Sequence, residues 1–196
     1  MKLYALIDAA QKSHGLRAPG SDYIRYRRYC TRRIARLRKR SGDKGLIALF
    51  NAERAWAYAM ELKESQQQES RHKFRFKKRL AKAVRHSEEV QYHAGEEAHA
   101  YHLGMQGHYF LARSRLAEAG DAFEQALDIL NKLDGPLFDE RKQLLQPWLR
   151  YCRPSPAPPP LPQPFPPVAP AATAVAPPPA AGLLGRMWQR LSGTTN

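Results

Sequence analysis

The sixteen residues from Arg25 to Arg40 hold eight arginines, one lysine and no acid. Guanidinium groups at that density suit one kind of chemistry. Their planar forks make paired hydrogen bonds to phosphate oxygens and base edges, and they stack on rings. At 100° per residue, Arg25, Arg28, Arg32, Arg36 and Lys39 share one side of a helix, and Tyr23, Tyr26, Cys30, Ile34 and Leu37 share the other. Arg27, Arg33 and Arg38 flank the apolar stripe, where long stems lie along a core edge with the charge turned outward. A helix without a partner intersperses Glu at i±4 to relieve like-charge repulsion, and this one does not. The stretch therefore reads as a polyanion contact. A solvated basic face, or a localisation signal read by a carrier, is the bland alternative. The excess of arginine over lysine favours nucleic acid.

A second basic stripe follows at Arg71, Arg75, Lys78, Lys82 and Arg85, on a helix whose buried side would be Phe76, Leu80, Ala83, Val84, Ser87 and Val90. Lysine stems solvate many helices, and Glu88 and Glu89 come next, so this stripe stands equally as RNA contact or solvated face. If it faces the same way as the first, the two form one basic surface. Seventeen of the 32 Lys and Arg residues sit in segments 25–40 and 71–85, so the net charge of +14 is placed and not merely abundant. That charge, with a pI near 10.1, predicts salt-sensitive attraction to polyanions.

Other chemistry is sparse. The seven histidines form no HExxH pair and have no cysteine partner set; His99 and His102 stand three apart without a third ligand. There is no Walker loop, GxGxxG, GxSxG or isolated carboxylate pair, so no enzyme, cofactor or metal is expected. Two cysteines, Cys30 and Cys152, give no disulfide framework, and a reducing, intracellular compartment fits. The run MKLYALIDAAQK is too short in apolar residues for a signal peptide, and no stretch approaches the ~18 apolar residues of a membrane span.

The elements that must carry these residues are helical. Leu3, Leu6, Ile7 and Ala10 space out a short amphipathic helix ending near His14-Gly15, followed by a Pro19-Gly20 turn. Ser21 or Asp22 caps the arginine helix, which stops at Ser41-Gly42. A third helix over Lys44 to Glu64 has alanines at 48, 52, 55, 57 and 59 that allow close helix approach, and its Glu53 and Arg54 pair with or brace the arginine helix. A polar connection, 64–70, precedes a fourth helix from Arg71 to about Tyr92. From Glu96 the chain reads as a helix pair in the manner of a tetratricopeptide repeat, with Gly107, Ala119, Phe123 and Ala126 at the packing positions. After Gly135-Pro136 a last helix, Leu137 to Cys152, carries Leu144, Leu145, Trp148, Leu149 and Tyr151, and Pro147 is expected to kink or interrupt it. Thirteen of 16 prolines then lie between Pro154 and Pro179, and beyond them Leu183, Leu184, Met187, Trp188 and Leu191 form a short apolar stripe. The expected fold is all-α: a tetratricopeptide-like bundle of antiparallel helices over 1–153, a disordered Pro/Ala-rich linker over 154–181, and a short amphipathic segment over 182–196.

The strings HGLR, DYIRYRRYCTRRIARLRK, NAERAWAYAMELK, RLAKAVRHSEE and LRYC, in that order, resemble the N-terminal RNA-binding domain of the 68-kilodalton subunit of the eukaryotic signal recognition particle. The resemblance implies an all-helical, repeat-like domain. It also implies that an arginine-rich helix enters the particle's 7S-type RNA at the junction of its S domain and remodels it. By motif, Arg25, Arg27, Arg28, Arg32, Arg33, Arg36, Arg38 and Lys39 would contact RNA; His14, Gly15 and Arg17 would support the contact, and Glu53 and Trp56 would position the helix. Arg40, Lys44 and the stripe from Arg71 to Arg85 complete the candidate set. Implied partners are the particle RNA and the other particle proteins, including the 72-kilodalton subunit. Implied localisation is the cytoplasm, with nucleolar assembly and transient association with the endoplasmic reticulum. Two features depart from the family: the loop SGDKGLIALF is brief, with Lys44 its only cation, and a proline-rich stretch stands where the family continues toward its 72-kilodalton partner. A helical adaptor binding acidic proteins is the alternative reading.

Overall fold

In a computed structural model, which describes residues 2–16, 22–40, 42–64 and 70–153, the chain forms six helices and, among those residues, no strand. They are α1 (Leu3–Ser13), α2 (Tyr23–Arg40), α3 (Lys44–Glu64), α4 (Ser70–Ala112), α5 (Leu116–Asn131) and α6 (Pro136–Cys152). From α2 onward each helix packs on the next, as short connections between antiparallel helices require, and α1 lies against α4 and α6. No helix of the described residues is long and apolar enough to cross a membrane. Arg17, the Pro19-Gly20 turn, Ser21, the connection at 65–69 and everything from Pro154 lie outside the described residues, as do the side chains at 70, 71 and 94.

Local signals place the boundaries. Asp22 caps α2, its Oδ1 accepting the Arg25 backbone N–H at 2.8 Å, and Asp43 does the same for Leu46 at 2.9 Å at the start of α3. Gly42 follows α2 at a φ of +61°, and its N–H reaches back to the Leu37 carbonyl at 3.0 Å. The alanines of α3 are buried, Ala52, Ala57 and Ala59 fully, which lets α2 and α4 close on either side. Gly107 of α4 lies under the Phe123 ring of α5, where a Cβ would stand 2.6 Å from Cζ. Ala119, Phe123 and Ala126 are fully buried beside it.

Four details differ from expectation. The fourth helix and the first member of the repeat-like pair are one element, α4, with Gly95 inside it at a φ of +61°. Glycine takes that left-handed angle without a Cβ penalty, so α4 runs through the position without a loop. Pro147 neither breaks nor ends α6: it and Gln143, whose carbonyl loses a donor, both face solvent. No residue of α6 is fully buried, and Leu144 and Tyr151 are exposed, because α6 lies at the edge of the array with α5 as its chief neighbour. Leu6 likewise sits at the exposed margin of α1.

Candidate nucleic-acid interface

Four α2 side chains, Tyr26, Cys30, Ile34 and Leu37, are buried in a cluster with Ala10, Phe50 and Ala57. Tyr23 meets Trp56 edge-on at 5.8 Å, and Tyr29 lies 4.2 Å from the His14 ring and 6.0 Å from Phe50. This collar of rings sets the angle at which α2 presents its other side. Burying four such side chains contributes about 6–12 kcal/mol at ~1.5–3 kcal/mol each. The like-charge i,i+3 and i,i+4 pairs cost only a few tenths of a kcal/mol apiece. Burial therefore wins, and the cationic helix is held.

A carboxylate inside the bundle fixes the same angle. Glu53, 1 % exposed, accepts Tyr26 Oη at 2.7 Å and Gln11 Nε2 at 3.0 Å on one oxygen, and Tyr101 Oη at 2.7 Å on the other. One side chain of α3 thus ties α1, α2 and α4 together. Burial, and then the nearby Glu53 charge, push the Tyr26 and Tyr101 hydroxyls well above the usual tyrosine range and raise the Cys30 thiol, so all three stay protonated.

Outward from this anchor, Arg25, Arg28, Arg32, Arg36, Arg38, Lys39 and Arg40 are exposed. Among the described residues none of these seven pairs with a carboxylate. Arg27 and Arg33 are half-buried and tied to the scaffold. Arg27 Nε donates to Glu61 at 2.6 Å and its guanidinium lies over the Tyr58 ring; Arg33 lies over Phe50 at 5.8 Å, with its buried Nε unbonded. Lys44, at the start of α3, is exposed.

On α4, Arg75, Lys78, Lys82 and Arg85 are exposed, and Phe76, Leu80, Ala83, Ser87 and Val90 are buried, with Val84 half-buried. The flanks of the two basic helices meet over α3: Arg27 and Thr31 of α2 and Arg79 and Lys82 of α4 line one cleft. Sequence reasoning passed over Arg79, Tyr58 and Thr31 and gave Arg54 only a bracing role. Arg79 stands one turn beyond Arg75 on the flank of the buried stripe, the position Arg27 holds on α2, and that parallel was the available signal. Both ring nitrogens of His102 are occupied, Nδ1 by Ser87 Oγ at 2.9 Å and Nε2 by Gln106 at 2.8 Å, so it packs as a core histidine.

The family described as "RNA-binding signal recognition particle 68" matches residues 42–155. The signal recognition particle subunit SRP68 of Drosophila melanogaster is 30 % identical over 194 residues, covering 78 % of this chain and 32 % of that protein. Its counterpart from Dictyostelium discoideum is 28 % identical over 186 residues, covering 73 % and 30 %. The chain thus spans about a third of the length of these curated relatives. Its fold is similar to that of the SRP68-RBD from Chaetomium thermophilum, with a TM-score of 0.68, 18 % identity, and coverage of 76 % of this chain and 95 % of that one.

Proposed function

The chain belongs to the SRP68 family of the signal recognition particle, and from that membership we propose that it is an RNA-binding subunit of the particle, acting in co-translational targeting to the endoplasmic reticulum. The helix α2 enters the particle RNA at the S-domain junction and remodels it. Its seven exposed cations, with Lys44 and the α4 stripe beside them, form the contact surface; Arg17 and Arg71 extend it by sequence position. Arg27 and Arg33 contribute mainly by holding the helix. Other particle proteins, the 72-kilodalton subunit among them, are its protein partners. The cytoplasm is the working compartment, with nucleolar assembly and transient contact with the endoplasmic reticulum. Residues 1–153 are the RNA-binding domain, 154–181 a linker and 182–196 a separate amphipathic segment.

The observation that supports this most is the outward side of α2, cationic along its length and unrelieved by carboxylates among the described residues. A-form RNA has a major groove too deep and narrow for a helix, but at a junction or bulge the groove opens. An arginine helix then has phosphates on both sides, so shape supplies selectivity and counterion release supplies most of the affinity.

The test is a titration of the full chain against a three-way-junction RNA and a duplex of equal charge, at two salt concentrations. Arg28→Glu and Arg32→Glu are expected to weaken junction binding severely with helicity intact. Equal affinity for duplex and junction, or indifference to both substitutions, would remove the basis for this placement.

A further inference from the structure

Between α2, α3 and α4 lies a cleft of about 210 Å³. Asn51, Arg54 and Tyr58 of α3 make its floor, and Arg27 on one side and Arg79 and Lys82 on the other make its walls. The Tyr58 ring carries two guanidiniums, Arg79 at 4.3 Å and Arg27 at 4.8 Å. Asn51 Oδ1 holds Arg54 Nη2 at 2.9 Å, and Glu61 holds Arg27. Three of the four cations are therefore fixed in place before any ligand arrives, and Lys82 stands exposed at the mouth. Among the described residues Glu61 is the one carboxylate bonded to any of the four, which leaves a surplus of positive charge facing the cavity. Burial, and then repulsion from Arg38, Arg79 and Arg27, lower the pKa of Arg54, as befits a guanidinium in cationic surroundings that an anion would relieve.

We propose that this cleft is a phosphate seat: it takes one backbone phosphodiester of the RNA that lies along α2, with Arg54 and Arg79 donating to its non-bridging oxygens and Lys82 adding charge at the rim. The inference rests on the RNA-binding reading above. Size argues for a backbone phosphate over a free nucleotide, since pockets for small ligands run to about 300–1,000 Å³. Fixed arginines argue for it as well, because a rigid fork meets phosphate oxygens two at a time with little further ordering cost. Position gives the seat its use. A strand passing from the α2 cations to the α4 cations crosses the cleft mouth, so a phosphate held there couples the two stripes and sets the register of RNA against the bundle.

The experiment uses the full chain and the three-way-junction RNA over a range of salt, with Arg54→Gln, Lys82→Gln and, as reference, Arg28→Glu. Each cleft substitution is expected to weaken binding roughly tenfold and to lower the salt slope by about 0.7–0.9. A scan with single methylphosphonates should find one position where neutralising the phosphate weakens the native chain but not the Arg54→Gln/Lys82→Gln double variant. Far-UV circular dichroism checks folding; should Arg54→Gln unfold, Lys82→Gln decides, because its side chain is exposed. If Arg28→Glu abolishes binding while both cleft variants keep native affinity and slope, the seat is wrong and the RNA reading stands. If all three bind as the native chain does, both fail together. If the cleft variants spare RNA but lose poly-glutamate binding, the cleft takes carboxylates and the seat is overturned.

Discussion

Glu53→Ala tests the anchor under the interface. In the native bundle three donors from three helices converge on this carboxylate, at 2.7, 2.7 and 3.0 Å. Hydrogen bonds to a charged group contribute about 1.5–3 kcal/mol each. Truncation leaves Tyr26 Oη, Tyr101 Oη and Gln11 Nε2 without an acceptor in a site that is almost wholly closed to solvent. Water entering the vacated space recovers part of that loss, so the expected cost is about 4 kcal/mol, against about 5–15 kcal/mol for a whole domain. Glu53→Gln keeps an acceptor for one tyrosine but turns an amide N–H toward the other donors, and should cost about 2 kcal/mol. Urea unfolding followed by circular dichroism measures both, and the order Ala worse than Gln worse than native is the signature. Should Glu53→Ala unfold within about 1 kcal/mol of the native protein, the reasoning that this carboxylate fixes α2 is wrong.

Alkali should weaken the bundle. The Tyr4, Tyr26 and Tyr101 hydroxyls are raised above their usual 10.0 chiefly by burial, so above that pH the unfolded chain gives up protons that the folded one keeps. Stability should then fall at about 1.4 kcal/mol per pH unit per tyrosine, read by unfolding at pH 9.5 to 11.5. Acid acts through His108, whose pKa burial pushes down to about 4. Below pH 6.5 the unfolded chain takes a proton that the folded one refuses, so up to about 3 kcal/mol is lost between pH 6.5 and 4, and His108→Phe should flatten that part of the profile. Gly107→Val drives two methyl groups into the Phe123 ring and should cost about 1–3 kcal/mol or more by overpacking; thermal melts would show it. Added salt should stabilise the free protein by screening α2 against itself while weakening RNA binding, opposite signs that paired melts and titrations reveal.

Most of the helices were legible because their periodicity is strong. The stripe Tyr26, Cys30, Ile34, Leu37 and the stripe Phe76, Leu80, Ala83, Ser87, Val90 are both buried, and α3 spans Lys44–Glu64, the bounds read from the sequence. The misses share a cause. The change of residue pattern between Tyr92 and Glu96 reads as the end of one helix and the start of the next, and Pro147 reads as a kink or interruption from residue type alone. Whether such a site ends a helix depends on which way it faces and on what lies beside it. Which arginines are free was likewise hidden: Arg27 and Arg28 are neighbours in sequence, and only the approach of Glu61 and Tyr58 from α3 commits one of them inward. Arg79 was invisible as a partner of Arg27 because nothing local brings residues so far apart in the chain to one tyrosine ring.

The distribution of acids explains how a chain of this charge keeps a stable fold and a reactive surface at once. Glu53 and Glu61 both lie on α3, the helix between the two basic stripes, and both are turned toward partners inside the bundle. A carboxylate on the outer side of α2 would relieve repulsion in the free protein and would also compete with phosphate for the same guanidiniums. Moving the acids one layer inward avoids that competition. They hold α2 through Tyr26 and Arg27 and α4 through Tyr101, while burial outweighs the outward repulsion. The unpaired charge then remains as self-repulsion that salt screens in the free protein and as attraction that salt screens toward a polyanion, which is why folding and binding should respond to salt in opposite directions.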